Sequence, residues 1–280
     1  TPDFRVLDEA EAQLLRERAL ERTMETFYQD IENGDEEAAQ LAGTLGAGRD
    51  DRALTALVLE LHGKIQSHPY PEKWLRAAAE SWRQLPSSLA DSDYGRTVME
   101  DTVRRALFWA GQLERAVAAM EDCEPVYKAN AAQFLAAAAE LRRYEQASQE
   151  GWDAMGRVQP VLQRAGAVKN GENDEAKAAA KAVREKYKKA KEEMTAPYLV
   201  TEREHLEDLQ AAAPSMLALL RLTERFSQRY QAEKVRRNAM DFSDQEHYAV
   251  TLLCGQDDEP TDLARQVSQR YQEIMVDEYQ

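Results

Sequence analysis

The segment Glu273-Ile-Met-Val-Asp-Glu-Tyr-Gln280 carries the clearest structural signal in the sequence. Its three apolar residues, Ile274 to Val276, have the pattern of a short strand buried in a parallel sheet. Two acids, Asp277 and Glu278, follow at once. An acid at the carboxyl end of such a strand can hold the Mg²⁺ that bridges the β- and γ-phosphates of a nucleotide, and a neighbouring glutamate can orient the attacking water. The segment therefore predicts the edge of a nucleotide-binding α/β domain.

A second strand-like segment, Phe4-Arg-Val-Leu7, lies near the other end of the chain and is followed by Asp8 as a helix cap. Between the two ends, apolar residues recur with the spacing of helices. Helices are predicted over residues 9–30, 50–66, 92–121, 126–150, about 214–240, 244–254 and about 261–271. One strand at each end with helices between them predicts a mainly α chain: a helical insertion flanked by short strand pieces of a parallel α/β parent domain.

Local signals refine where these helices begin. Pro71, within the turn Ser67-His-Pro-Tyr-Pro-Glu-Lys-Trp74, is well placed at a first helical position. Ser243 is predicted to cap the helix over residues 244–254, with Glu246 at the third helical position as its capping-box partner.

Composition limits the classes of protein that remain open. The 280 residues are 43% hydrophobic, which suffices for a core, and the formal charge is −15, so any DNA contact must be a local patch. Cys123 and Cys254 are too few for a disulfide framework, and none of the four histidines has metal-ligand spacing. Because there is no signal-like segment at the start and no apolar run of about 18 residues, we expect no membrane contact and a cytoplasmic location.

Several segments resemble a known family. Asp241-Phe-Ser-Asp-Gln-Glu-His-Tyr248 and Ile274-Met-Val-Asp-Glu-Tyr-Gln280 are similar to the Asp-Phe-x-Asp-Leu-type element and the Asp-Glu-x-Gln motif of the UvrD-like superfamily 1 DNA helicases. Phe4-Arg-Val-Leu-Asp8 and Ser67-His-Pro-Tyr-Pro-Glu-Lys-Trp-Leu75 resemble further segments of the AddA-type helicase–nuclease subunits within that superfamily. The resemblance covers essentially the whole chain in order. Gln245 departs from the family's usual leucine, which bears on packing more than on chemistry.

The resemblance implies a domain organisation. Residues 1–8 would be one edge of ATPase domain 1A, residues 9–240 the helical domain 1B, and residues 241–280 the return to domain 1A, ending at the Walker B motif. The family's phosphate loop would lie upstream of Thr1, and its second motor and nuclease domains beyond Gln280. Because ATP hydrolysis needs the phosphate loop, we expect the 280-residue chain alone to be inactive.

The resemblance also implies a function for the longer protein: an ATP-dependent DNA helicase with exonuclease activity that processes double-strand breaks for recombinational repair. Its implied heterodimer partner is an AddB-type nuclease subunit. ATP and Mg²⁺ are the implied cofactors. Asp277 would hold Mg²⁺ at the nucleotide, Glu278 would activate water, and Gln280 would help couple the nucleotide to the moving parts. Asp241 and Asp244 are interpreted as structural residues at a helix entry.

The glycine-rich segment Gly43-Thr-Leu-Gly-Ala-Gly-Arg-Asp50 superficially echoes a phosphate loop. Arg49 stands in place of the lysine, and Asp50 stands in place of the hydroxyl that binds Mg²⁺ and would repel phosphate. No strand is predicted before the segment, although a phosphate loop needs a strand before it and a helix after it. We interpret it as a loop between two helices.

A basic run extends from Lys177 to Lys191. Its strongest candidates for contact with DNA phosphates are Lys181, Arg184, Lys188 and Lys189. The alternative is a solvated helix face, since six acids between Glu172 and Glu193 dilute the run. A second, smaller cluster comprises Lys234, Arg236 and Arg237.

Two alternatives to the AddA-type interpretation stay open from the sequence. One is a helical interaction module without enzymatic activity, which the Ala-rich helices and the acidic charge favour. The other is a different UvrD-like motor, such as a RecB-type protein. A Gly-x₄-Gly-Lys-Ser/Thr segment upstream of Thr1 would distinguish a motor from a module.

Overall fold

The computed structural model of the protein describes residues 4–45, 50–169, 173–255 and 258–277. Most of these residues are helical. The helices are α1 (Glu9–Glu32), α2 (Glu36–Thr44), α3 (Arg52–Gln66), α4 (Pro71–Arg83), α5 (Asp93–Ala118), α6 (Glu124–Glu150), α7 (Trp152–Arg157), α8 (Asp174–Thr195), α9 (Glu202–Arg236), α10 (Phe242–Leu253) and α11 (Asp262–Ser268). The strands are β1 (Arg5–Val6) and β2 (Ala239–Met240). In the described ranges, no helix has both the length and the apolar character needed to cross a membrane.

The chain divides into two compact units. The first comprises Thr1–Gln84 and Ala212–Gln280, and the second comprises Leu85–Ala211. Inside the first unit β1 lies parallel to β2, with Arg5 opposite Ala239 and Val6 opposite Met240. The two strands are therefore joined by a connection that contains the whole second unit.

The first unit is built around α1. The helix begins after Asp8 because the Asp8 carboxylate accepts a hydrogen bond from the Glu11 backbone N–H at 2.8 Å, while the Glu11 carboxylate accepts one from the Asp8 N–H. Apolar residues on one face of α1 then pack into a core with α2, α3 and the second half of α9. The fully buried members of this core include Leu15, Ala19, Phe27, Leu54, Val58, Leu222 and Phe226.

Arginines of α9 form ion pairs with acids at the end of α1 and the start of α2. Arg221 pairs with Asp35 at 3.0 Å and also with Glu37, and Arg225 pairs with Asp30. All these side chains are partly exposed, so each pair contributes at most about 1 kcal/mol. The pairs fix the register of α9 against its neighbours and leave no unpaired cation among these two arginines.

The second unit is built on the antiparallel helices α5 and α6. Apolar side chains from both helices interdigitate, with α7 and α8 closing the core. The buried members include Leu113, Phe134, Leu141, Tyr144, Trp152 and Tyr187. Trp152 contacts the rings of Tyr198 and His205, and its indole N–H donates to the Val200 carbonyl at 3.3 Å.

Most of the predicted helices are confirmed, including the start of α4 at Pro71 and the cap at Asp8. Three predictions are wrong in detail. The first is the start of α9, which lies at Glu202, so that Pro214 is inside the helix. The turn before the proline is helical because it packs Leu206 and Leu209 against the core of the second unit, which outweighs the one backbone hydrogen bond that proline removes.

The second wrong prediction is the cap of α10. The helix begins at Phe242 with Asp241, not Ser243, as its N-cap. The Asp241 carboxylate accepts from the Asp244 N–H at 3.0 Å, and the Asp244 carboxylate accepts from the Asp241 N–H at 3.0 Å, which completes a capping box. Asp241 is preferred because its carboxylate also meets a buried cation, which the hydroxyl of Ser243 could not pair with.

The third wrong prediction is the strand over residues 274–276. These residues have no strand pairing within the described ranges, and Ile274, Met275 and Val276 are 78%, 89% and 67% exposed. A strand requires a hydrogen-bonded neighbour. Residues 274–276 pair with neither β1 nor β2, and the apolar run is irregular and exposed at the surface.

Replacing Phe134 by Ala tests the core of the second unit. The Phe134 side chain is fully buried and the adjacent Leu135 is 46% exposed. We expect Phe134→Ala to lower the free energy of unfolding by about 3–5 kcal/mol through lost burial and a cavity, and Leu135→Ala to lower it by about 0.5 kcal/mol or less. Urea unfolding followed by circular dichroism measures both. Equal effects of the two substitutions would contradict this core.

Candidate functional site

The C-terminal segment holds the predicted nucleotide residues. Asp277 is exposed and follows the irregular residues after α11. Glu278 and Gln280 lie outside the described residues. The described ranges contain no group of three or more His, Cys, Asp or Glu side chains that could hold a metal ion by themselves.

The predicted structural pair Asp241 and Asp244 lies at a buried charge cluster. The Lys234 Nζ lies 2.9 Å from Asp241 Oδ2 and 2.7 Å from Asp244 Oδ2. The Tyr230 hydroxyl donates to the same Asp241 oxygen at 2.9 Å, and the ammonium group lies 4.4 Å from the centre of the Tyr230 ring. Only 4% of the Lys234 side chain is exposed. The arrangement ties the end of α9 to the beginning of α10.

From the sequence, Lys234 is grouped with Arg236 and Arg237 in a small basic cluster, and its buried ion contacts were not predicted. A signal was present, because Leu219, Leu222, Phe226 and Tyr230 form an apolar stripe along α9 that Lys234 continues. A cation at a position of the buried stripe requires a buried carboxylate partner. The nearest acids that follow in the chain are Asp241 and Asp244.

The cluster shifts the pKa values of its members. Burial alone would raise the pKa of Asp241, but the hydrogen bond and the charge of Lys234 outweigh it and lower that pKa. Burial, and then the Asp241 charge, raise the pKa of Tyr230, so the phenol stays protonated and donates. His62 of α3 packs edge-on against Phe226, at 4.9 Å between ring centres. Burial and the charge of Lys234 lower the pKa of His62 to about 4, so it is neutral at physiological pH.

The structure brings two of the family-like segments into contact. His247 of α10 places its Nε2 3.1 Å from the carbonyl oxygens of Gln66 and His68, so this nitrogen carries the proton and donates. A groove of about 710 Å³ lies between the start of α4, α9 and α10. Its lining is mixed and includes Tyr70, Lys73, Gln228, Gln231, His247 and Tyr248.

The basic run lies on α8, where it forms a stripe. At about 100° per residue, Lys177, Lys181, Arg184, Lys188 and Lys191 fall within an arc of about 80° and extend over about 21 Å of the helix. We call these five residues the α8 stripe. Lys189 lies about 80° from the nearest stripe residue and Lys186 about 140°. Within the described residues, Lys181, Lys186, Lys188 and Lys189 are exposed and form no ion pair.

Arg184 differs from the lysines of the stripe because its guanidinium group is anchored. Its Nε donates to the Asn130 side chain at 2.9 Å, its Nη1 donates to the Gln163 carbonyl at 2.6 Å, and its Cζ lies 5.1 Å from the centre of the Phe134 ring. Burial lowers its pKa. Arg184 therefore holds α8 against α6 while placing a positive charge within the stripe.

Part of the glycine-rich segment lies outside the described residues, namely residues 46–49. Asp50 is described. It accepts hydrogen bonds from Arg52, and these lower its pKa. Asp50 lies two residues before the first residue of α3, Arg52.

Comparison with known proteins defines the class. The profile of the UvrD/REP helicase N-terminal domain matches residues 3–280, and the chain belongs to this family. Its relatives include ATP-dependent helicase/nuclease subunits of the AddA type from Acetivibrio thermocellus and Alkaliphilus oremlandii, each 30% identical, and from Ruminiclostridium cellulolyticum, 27% identical. Each alignment covers 100% of this chain and 23% of the relative. The chain thus spans about a quarter of the length of these curated relatives.

The pKa of His62 predicts how stability depends on pH. Because folding lowers this pKa from about 6.5 to about 4, the unfolded chain binds more protons between these pH values. The contribution is fully present above pH 6.5, and the free energy of unfolding should fall by up to about 3 kcal/mol as the pH drops to 4. We expect His62→Gln to lack this part of the pH dependence in denaturant titrations. His68→Gln, which removes an exposed imidazole, is the control, and parallel profiles for the parent and His62→Gln would refute the assignment.

Proposed function

We propose that the chain is the helical insertion, with flanking ATPase edges, of an ATP-dependent DNA helicase–nuclease subunit of the kind named in its relatives. The observation that carries this proposal is the family match over residues 3–280, which includes the acids Asp277 and Glu278. The match favours a motor protein over a helical interaction module. In this proposal residues 1–8 and 241–280 belong to domain 1A, and residues 9–240 form domain 1B.

The C-terminal acids would serve nucleotide hydrolysis. The Asp277 carboxylate is exposed, and a single carboxylate completed by phosphate oxygens and water suits Mg²⁺. Mg²⁺ held there would neutralise charge on the ATP phosphates. Asp277 would bind and orient the Mg²⁺ ion. Glu278 would align the attacking water and accept its proton, and Gln280 would help couple the nucleotide state to movement.

The α8 stripe would contact the DNA backbone. This proposal is supported by a local excess of positive charge. The chain carries a formal charge of −15, yet Lys181 and Lys188 lie on one side of α8, exposed and without ion pairs within the described residues. Such lysines can exchange condensed counterions for phosphates. Arg184 would contribute charge from its anchored position, whereas Lys189 lies outside the stripe.

The remaining parts of the proposal concern the longer protein. It would act with an AddB-type nuclease partner, process double-strand breaks by helicase and exonuclease activity for recombinational repair, and work in the cytoplasm. Copurification of the full-length protein with such a partner, and ATP-dependent degradation of linear duplex DNA by the pair, test these points together. Absence of ATP-dependent DNA unwinding would refute them.

The role of Glu278 can be tested in the full-length protein. We expect Glu278→Gln to retain ATP binding and to lower the ATPase rate by about 100-fold or more, because the amide cannot accept the proton from the attacking water. Glu273→Gln, which changes another glutamate of the same segment, is the matched control. Single-turnover hydrolysis and binding of a fluorescent ATP analogue measure the two effects. Hydrolysis by Glu278→Gln at the parent rate would exclude this role.

The α8 stripe can be tested by its position on the helix. We expect the double variant Lys181→Gln/Lys188→Gln to weaken binding to duplex DNA and to reduce the slope of log K against log salt by about 1.8, or about 0.9 for each lost phosphate contact. Lys186→Gln/Lys189→Gln removes the same charge from the same helix outside the stripe and should change the slope little. Fluorescence anisotropy across a salt series measures both. Equal slopes for the two double variants would favour a solvated face.

A further inference from the structure

A second group of arginines is assembled by the fold of the first unit around one buried carboxylate. Glu233 of α9 exposes only 9% of its side chain. Its Oε1 accepts from Arg22 of α1 at 2.8 Å, and its Oε2 accepts from Arg236 at 2.7 Å, with Arg237 at 3.6 Å. Arg22 and Glu233 are 211 residues apart in the chain. We call Arg22, Arg229, Arg236 and Arg237 the arginine cluster.

Arg229 adds a further cation without a further anion. It donates to the backbone carbonyl of Arg22 and, at 2.7 Å, to the Thr26 hydroxyl, both of which are neutral acceptors. Within the described residues, Arg229 forms no ion pair. The cluster therefore holds four guanidinium groups, of which three lie against the carboxylate of Glu233 and the fourth, Arg229, is hydrogen-bonded to Arg22 and Thr26.

This imbalance sets the cluster apart from other arginines of the same helix. Arg221 is paired with Asp35 and Glu37, and Arg225 is paired with Asp30, so each of these cations meets at least one carboxylate. Favourable charge at the carboxyl end of α9 explains one cation in its last turn, but it explains neither Arg229, which lies two turns earlier in α9, nor Arg22, which comes from α1.

The guanidinium groups are also available to a ligand. The Arg22 and Arg236 side chains are 58% and 62% exposed. Each guanidinium has five N–H donors in a rigid fork, and each of these two arginines gives only one donor to Glu233. Glu233 thus restrains the side chains while most of their donors remain open. Forked donors that are held in place match the oxygens of a phosphate group.

We propose that the arginine cluster is a binding site for backbone phosphates of DNA. It recognises phosphodiester charge and not base identity, since its ligand groups are guanidinium donors. The proposal rests on the proposed DNA-dependent function, and it assigns a contact on the first unit that is separate in sequence from the α8 stripe. Glu233 is a positioning residue that orients Arg22 and Arg236.

The experiment compares two double variants with equal loss of charge. Arg22→Gln/Arg236→Gln removes the exposed pair, and Arg52→Gln/Arg83→Gln removes two exposed arginines, each of which pairs with a nearby acid, Asp50 or Glu80. Binding of the 280-residue chain and of the full-length protein to a labelled single-stranded oligonucleotide and its duplex is followed by anisotropy over a salt series. We expect only the first variant to lose slope, by about 1.4 on single strands and about 1.8 on duplex.

A third variant distinguishes lost binding from lost folding. Arg22→Lys/Arg236→Lys keeps both charges and the ion pairs to Glu233 but loses the fork, so it should retain the parent slope while binding more weakly. Competition with Mg²⁺-free ATP at constant ionic strength distinguishes DNA phosphodiesters from free nucleotide phosphates. Displacement of DNA by ATP at equal phosphate concentration would overturn the assignment to DNA.

Identical slopes for the two arginine-to-glutamine variants would overturn the proposal and leave the cluster a purely structural contact. That result is distinguishable from failure of the proposed function. If the α8 stripe variant Lys181→Gln/Lys188→Gln still loses slope, DNA binding stands and only the arginine cluster is excluded. If neither the stripe nor the cluster variant changes binding, both assignments fall.

Discussion

The ion contacts of Lys234 hold together the part of the molecule where the chain returns to its starting point. One ammonium group lies between the carboxylates of Asp241 and Asp244, and only 4% of its side chain meets solvent. Removing one partner of such a buried group typically costs about 3–5 kcal/mol, because the other charge stays buried without compensation. The same carboxylates cap α10. A single cation therefore fixes the end of α9, the turn through β2 and the start of α10.

The Lys234 contacts matter because the strand pairing that joins the two ends of the first unit is short. Strands β1 and β2 have two residues each, and their connection contains the whole second unit. Closing so long a connection costs entropy, and a two-residue ladder offers few hydrogen bonds in return. The packing of α1 against α9, with the ion pairs of Arg221 and Arg225, and the Lys234 contacts supply the stabilisation that the strands lack.

Features that depend on neighbours in the sequence could be predicted from it, and features that depend on distant residues could not. Helical periodicity, the cap at Asp8 and the helix start at Pro71 involve neighbours in sequence, and these predictions are confirmed. The cap at Asp241 was missed because Lys234, a buried partner, decides against Ser243. The strand over residues 274–276 was wrong because strand pairing is not local. The nucleotide roles of Asp277, Glu278 and Gln280 came from resemblance alone, and they stay predictions.

The distribution of charge bears on the proposed binding of nucleic acid. A chain with a formal charge of −15 repels DNA at long range. At physiological ionic strength the Debye length is about 8 Å, so a phosphate at the surface responds mainly to the charges beside it. A local group of cations can therefore attract phosphate despite the negative net charge if the fold brings those cations together. Helix periodicity gathers the α8 stripe from neighbouring turns, whereas the arginine cluster exists only because tertiary packing brings Arg22 to Glu233. The first site is readable from sequence, and the second required the structure.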